Sequence, residues 1–150
     1  LRRCLEKLHA ATYEVFTTAL ELSLAQGLTA MGQFDEGISG IDKAIERVET
    51  NGDFCYMPEL LRIRANLLLS MQHPIADEAE NCFTQSLELS RRQGARAWEL
   101  RTVTGLAAHL ASEGRAAEGQ SLLQPVFKRF TEGSDTEDMK AAELLLAKLS

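Results

Sequence analysis

Tyr56-Met57-Pro58-Glu59-Leu60-Leu61-Arg62 opens and Arg91-Arg92-Gln93-Gly94 closes the stretch 56–94, whose punctuation recurs once upstream and once downstream. An aromatic residue marks each expected helix start at Tyr13, Tyr56 and Trp98, which stand 43 and 42 residues apart. An acidic residue followed by a small one recurs at Glu36-Gly37, Glu78-Ala79 and Glu118-Gly119, and a glycine closes each unit at Gly52, Gly94 and Gly133. Three landmarks of different chemistry share one period of about 41 residues, within the roughly 20 to 50 that signal a repeat architecture.

Between these landmarks the apolar residues keep helical spacing. In the first full unit Leu20, Leu24, Leu28 and Met31 form one stripe, ended by a turn at Gly32-Gln33-Phe34. Ile38, Ile41, Ile45 and Val48 form the stripe of a second helix, with Asp35 expected to cap its start and Asn51-Gly52 to end it. Gly37 and Gly40 inside that helix each cost on the order of 1 kcal/mol, which predicts close approach of the paired helix. The second unit carries Leu61, Ala65 and Leu68, a break at His73-Pro74 in a turn about two residues longer than the others, and then Ala79, Phe83 and Leu87. The third carries Val103, Leu106, Ala107 and Leu110 before Gly114, then Leu122, Leu123, Val126, Phe127 and Phe130. Pro125 falls inside this last stretch, where it removes a hydrogen bond and predicts a kink.

Leu1, Leu5 and Leu8 form a stripe at the start of the chain, and Thr136 caps a closing helix with Met139, Ala142, Leu146 and Leu149 on one face. The expected architecture is all-α: a right-handed α-α superhelix of three antiparallel helix pairs, preceded by half a pair and followed by a capping helix. The expected divisions are 1–10, 11–52, 53–94, 95–133 and 134–150 of one domain. The chain opens at Leu1 with neither a methionine nor a signal-peptide pattern, and is expected to be a piece of a longer protein that starts in mid-repeat. Removal of a preceding repeat would leave Leu1, Leu5, Leu8 and the helix of Tyr13 uncovered, which predicts a homodimer through the N-terminal end.

Composition narrows the function. The 150 residues are 45% hydrophobic, and the formal net charge of -6 argues against a nucleic-acid-binding face. No apolar run approaches the 18 residues or so of a membrane span, so no membrane partner is expected. Arg91, Arg92, Arg96 and Arg101 are the one basic cluster, and the first two fall in a last helical turn, where cations complement the helix dipole. Cys4, Cys55 and Cys82 are odd in number and scattered, the pattern of reduced thiols in a cytoplasmic protein. Cys82 beside Phe83 reads as a small core residue.

No pair among these thiols and His9, His73 and His109 has a metal-ligand spacing, so neither a metal nor another cofactor is expected. The chain contains no phosphate loop and no catalytic constellation, so no catalytic residue is assigned and the chain is not expected to be an enzyme. His109 and Glu113, one helical turn apart, read as a pair on a helix surface. Asp35-Glu36, Asp77-Glu78 and Glu137-Asp138 each fall at an expected helix start, where carboxylates are favoured without a cation.

Leu24-Ala25, Leu28, Gly32, Phe34, Gly37, Ile41 and Ala44 follow the spacing of the tetratricopeptide repeat (TPR), and the chain resembles that family. It departs from the pattern at Arg64, where a leucine is usual, and at Ser86, where an alanine is usual. The runs 56–62, Ala79-Glu80-Asn81-Cys82-Phe83, 91–95 and 130–136 resemble more narrowly the C-terminal TPR region of large bacterial signalling proteins. In those, the region follows an ATPase module and a class III adenylate or guanylate cyclase domain or a winged-helix domain.

The resemblance implies a non-catalytic protein-interaction or regulatory module that binds a protein or peptide, which includes other domains of its parent. The alternative is a self-association or intramolecular docking element that controls an upstream ATPase or cyclase. In this family the first helix of each pair lines the inner curve, which makes Leu22, Gln26, Thr29, Arg62, Asn66, Arg101 and Thr104 the partner-facing set. Arg62 and Asn66 are one turn apart on one face, and with Arg101 they have the chemistry to hold a carboxylate through charge-assisted hydrogen bonds. The competing expectation is that Arg62 and Arg101 pair with Glu59 and Glu99.

Overall fold

The computed structural model describes residues 1–10 and 17–149, with side chains described for 1–7 and 17–149. Tyr13, Leu8 and His9, which figure in the expectations above, lie outside the described side chains. Eight α-helices are present among the described residues, with no strand: α1 (Arg2–Ala10), α2 (Thr17–Ala30), α3 (Phe34–Asn51), α4 (Met57–Ser70), α5 (Ala76–Gln93), α6 (Arg96–Ser112), α7 (Ala116–Phe127) and α8 (Glu137–Leu149). The chain forms two compact units, Leu1–Cys82 and Phe83–Ser150, with the division inside α5.

The helix ends follow from local chemistry. Gln33, Ala95 and Arg115 each donate a backbone N–H to the carbonyl five residues back, of Leu28, Ser90 and Leu110, at 2.9, 2.9 and 2.8 Å. This closure needs a left-handed residue just before the donor, and Gly32, Gly94 and Gly114 supply it at φ of 72, 66 and 79°. Three helices of different sequence therefore stop by one device. The turn after α4 spans 71–75, two residues longer than the turns 31–33 and 113–115, as the sequence predicts.

In the first unit α1 packs on α2, and α3 packs on both α2 and α4. The buried face of α3 is Gly37, Ile41, Ala44 and Val48, while Ile38 and Ile45, expected in that stripe, are half-buried at its margins. Gly37 permits the close approach: a Cβ there would lie 3.0 Å from Leu67 Cδ2. Gly40 does not share this role, since a Cβ on it would meet nothing within 4 Å. Asp35 is not the cap expected of it, because α3 begins one residue earlier, after Gln33, whose side chain makes no capping bond. Asp35 sits in the first turn, where its charge still complements the helix dipole.

On α2 the buried residues are Thr17, Leu22, Ala25 and Leu28, while Leu20 and Leu24 are half-buried and Met31 is 65% exposed. The buried face is thus rotated toward Leu22 from the stripe expected. Leu5 of α1 is buried against expectation as well, while Leu1, just before the helix, is exposed. Helix α4 is covered on nearly every side: Met57, Pro58, Leu60, Ile63 and Leu67 are buried along with the expected Leu61, Ala65 and Leu68. Its apolar residues were never confined to one stripe, which is the mark of a central helix. A single 3-10 turn over Phe54–Tyr56 leads into it, with the Asp53 carboxylate accepting from the Cys55 N–H at 3.4 Å.

The second unit is built on Leu87, Leu100, Val103, Ala107, Leu123, Val126, Met139 and Ala142, with α6, α7 and α8 packed on one another. Each large aliphatic side chain fully buried here contributes about 1.5 to 3 kcal/mol. Helix α7 ends at Phe127, two residues after Pro125, instead of running on through Phe130. Pro125 gives no N–H to the ladder, and the chain tightens beyond it: Arg129 and Phe130 donate to carbonyls only three residues back, at 3.2 and 3.1 Å. Gly133 consequently does not close α7. Its carbonyl accepts from the Thr136 N–H and hydroxyl, and Thr136 Oγ1 accepts in turn from Met139 N–H at 3.4 Å, starting α8 as expected.

Candidate functional site

The seven residues expected to face a partner fall on α2, α4 and α6, and their environments differ. Leu22 is 7% exposed and belongs to the core of the first unit, which removes it from any surface. Gln26 is exposed, and Thr29 and Asn66 are half-buried. The hydroxyls of Thr29 and Thr104 turn back onto their own helices, donating to the carbonyls of Ala25 and Leu100 at 2.8 Å. An intrahelical bond of this kind leaves the hydroxyl oxygen with acceptor capacity.

Both arginines of the set are already held by carboxylates. Arg62 forms a two-pronged pair with Glu59 one turn back, Nε to Oε1 at 3.1 Å and Nη2 to Oε2 at 2.8 Å. Arg101 reaches Asp138 on α8 at 2.7 Å, not the Glu99 expected from sequence proximity. Glu99 is itself buried and is held by Arg91 at 2.9 Å and by Arg129.

Other polar groups settle into structure. His109, expected on a surface with Glu113, is only 6% exposed, and the two are linked through the backbone, Glu113 N–H to His109 carbonyl at 3.2 Å. The acids Glu36, Glu78 and Glu118 each meet an arginine, Arg2 at 2.8 Å, Arg64 at 2.7 Å and Arg115 at 2.8 Å. The small residues that follow them, Gly37, Ala79 and Gly119, are all buried. Cys4 and Cys55 are exposed and Cys82 is buried, all as free thiols.

Arg64 lies among the apolar residues of α4, and its surroundings explain how it is tolerated. Its guanidinium donates to Asp42 at 2.7 Å and to Cys82 Sγ at 3.2 Å, and pairs with Glu78. Partial burial opposes the charge, but the bonds to Asp42, Cys82 and Glu78 outweigh it and hold the guanidinium pKa above its ordinary value. The side chain thus closes the gap between α3 and α5 with an ion-pair network. Sequence reading missed this, although an arginine in an apolar stripe with acids on the flanking helices was its visible sign.

Among the described residues no group of three or more histidine, cysteine or carboxylate side chains is arranged to hold a metal ion, and no helix is long and apolar enough to cross a membrane. No family model matches the chain, and no curated protein matches it.

Proposed function

We propose that this chain is a TPR-like helical-repeat module whose work is to bind a protein or peptide. The observation that carries the reading is the threefold recurrence of a helix, a short turn and a second helix that buries a small residue in its first turns, with a left-handed glycine in two of the three turns, at Gly32 and Gly114. Gly37, Ala79 and Gly119 occupy that small position, and each follows a glutamate paired with an arginine. On this reading the pairs α2/α3, α4/α5 and α6/α7 are the repeats, α1 is the end of another, and α8 caps the series. Repeats of this kind conserve packing positions and leave the rest of the surface free for recognition.

The binding residues on this reading are those of the first helices, Gln26, Thr29, Arg62 and Asn66 in the first unit and Arg101 and Thr104 in the second. Their mixture of amide, hydroxyl and guanidinium groups suits a peptide backbone or a carboxylate. The narrower resemblance makes the parent a bacterial signalling protein with an upstream ATPase and a cyclase or winged-helix domain, with the module regulatory, non-catalytic and cytoplasmic.

The test is selection of displayed random peptides against the chain, followed by retesting on Gln26→Ala, Asn66→Ala and Thr104→Ala variants. Enriched peptides whose binding weakens in these variants, with melting temperature unmoved, support the reading. Absence of any enriched peptide would overturn it.

A further inference from the structure

A cleft of about 560 Å³ lies on α3, and its lining includes parts of α4, the 71–75 turn and the start of α5. Its apolar part is Ile38, Leu68, Met71 and Ile75, and Ile75 is 43% exposed. A second cleft of about 320 Å³ shares Asp35 and Met71 with it, so the two adjoin. Open apolar ground of this kind on a helical surface marks an interaction site.

Charge decides what fits there. Asp35, Asp42, Glu46 and Glu78 border the larger cleft, against two cations, Lys43 and Arg64. Arg64 is already consumed by Asp42 and Glu78. Asp35 and Glu46 are exposed and make no ion pair among the described residues, so their charges face outward uncompensated. Asp35, Ile38, Asp42 and Glu46 follow one another at helical spacing along one face of α3, a length of about 16 Å at 1.5 Å per residue.

We propose that this cleft docks a basic amphipathic helix of another protein, about three turns long, with aliphatic residues set on Ile38, Met71 and Ile75 and lysines or arginines beside Asp35 and Glu46. A helix laid in a groove presents side chains at the spacing the α3 face offers, and opposite charges along the rim fix its register. A second copy of the chain is a poor occupant, because its formal charge of -6 repels an acidic cleft. The inference rests on the interaction reading above, but assigns a different surface and a definite ligand chemistry.

The probe is a fluorescent synthetic helix of leucine and lysine, about eleven residues long by the same rise per residue, with a counterpart in which glutamate replaces lysine. Anisotropy is measured on the full chain, on an Asp35→Lys/Glu46→Lys variant, and on a Glu143→Lys control at an exposed position of α8. The expected result is saturable binding of the lysine peptide by the chain and the control, at least tenfold weaker binding by the double variant, loss with added salt, and no binding of the glutamate peptide. Equal binding by the double variant and the control would overturn the proposal, as would binding of both peptides alike or of neither. Amide shifts at Gln26 and Asn66 in place of Ile38 and Ile75 would also overturn it while leaving the interaction reading standing. A dimer abolished by Asp35→Lys/Glu46→Lys would give the cleft to a second copy instead. Failure of the peptide selection described above, with the lysine peptide still bound, would remove the first-helix binding surface and leave the cleft standing.

Discussion

Gly119 of α7 rests directly on the backbone of Ala107 of α6: a Cβ added at Gly119 would lie 2.8 Å from the Ala107 carbonyl oxygen and 3.1 Å from its Cα. Backbone cannot yield as the end of a flexible side chain can, so Gly119→Ala must push the two helices apart. We expect a loss of about 1 to 3 kcal/mol, the usual cost of overpacking. Gly40→Ala is the matched opposite, because Gly40 is helical, exposed and clear of neighbours, and it should gain up to about 1 kcal/mol from helix propensity. Urea denaturation of the two variants checks both signs, and a neutral Gly119→Ala would contradict the close crossing.

Ser86 and Thr102 join their hydroxyls at 2.8 Å, with both side chains fully buried. An alanine in place of Ser86 would strand the buried Thr102 hydroxyl. Ser86→Ala alone should cost about 1 to 3 kcal/mol. Ser86→Ala with Thr102→Val should cost less than the sum of the two single variants, because both partners leave together. A double-mutant cycle by chemical denaturation reads the coupling, and strict additivity would contradict it.

The periodic landmarks and turn glycines made the helices legible, because helix termination is local chemistry and Gly32, Gly94 and Gly114 announce it within a few residues. The packing was less legible. Leu22 and Leu24 are both leucines on one helix, and which is buried depends on where the neighbouring helices lie. Glu59 and Glu99, expected only as alternative partners of Arg62 and Arg101, are 5% and 4% exposed, and carboxylates near a helix start carry no mark of such burial. Pro125 signalled a disturbance correctly, but the helix stops soon after it because the following residues tighten into shorter turns. The partner-facing set came from the family pattern alone, and the pattern could not foresee that Asp138 takes Arg101.

Glu99 offers a test of that hidden electrostatics. Its side chain is 5% exposed while Arg91 and Arg129, which hold it, are 49% and 51% exposed. Glu99→Gln releases two arginines that water can solvate, and should cost about 1.5 to 3 kcal/mol, the range of charge-assisted hydrogen bonds. Removing both arginines together leaves a buried carboxylate unpaired and should cost more, about 3 to 5 kcal/mol. Thermal melts of the two variants decide the order, and a double-arginine variant more stable than Glu99→Gln would contradict the burial.

The account stands most directly on whether the repeat surface binds. The measurement is calorimetric titration of the chain with the peptides enriched by selection, repeated on a Gln26→Ala/Asn66→Ala variant whose surface positions leave the core untouched. The account predicts saturable binding at one peptide per chain, weakened at least tenfold in the variant, a loss of about 1.4 kcal/mol or more. Heat signals that never saturate, or affinity unchanged in the variant, would contradict it.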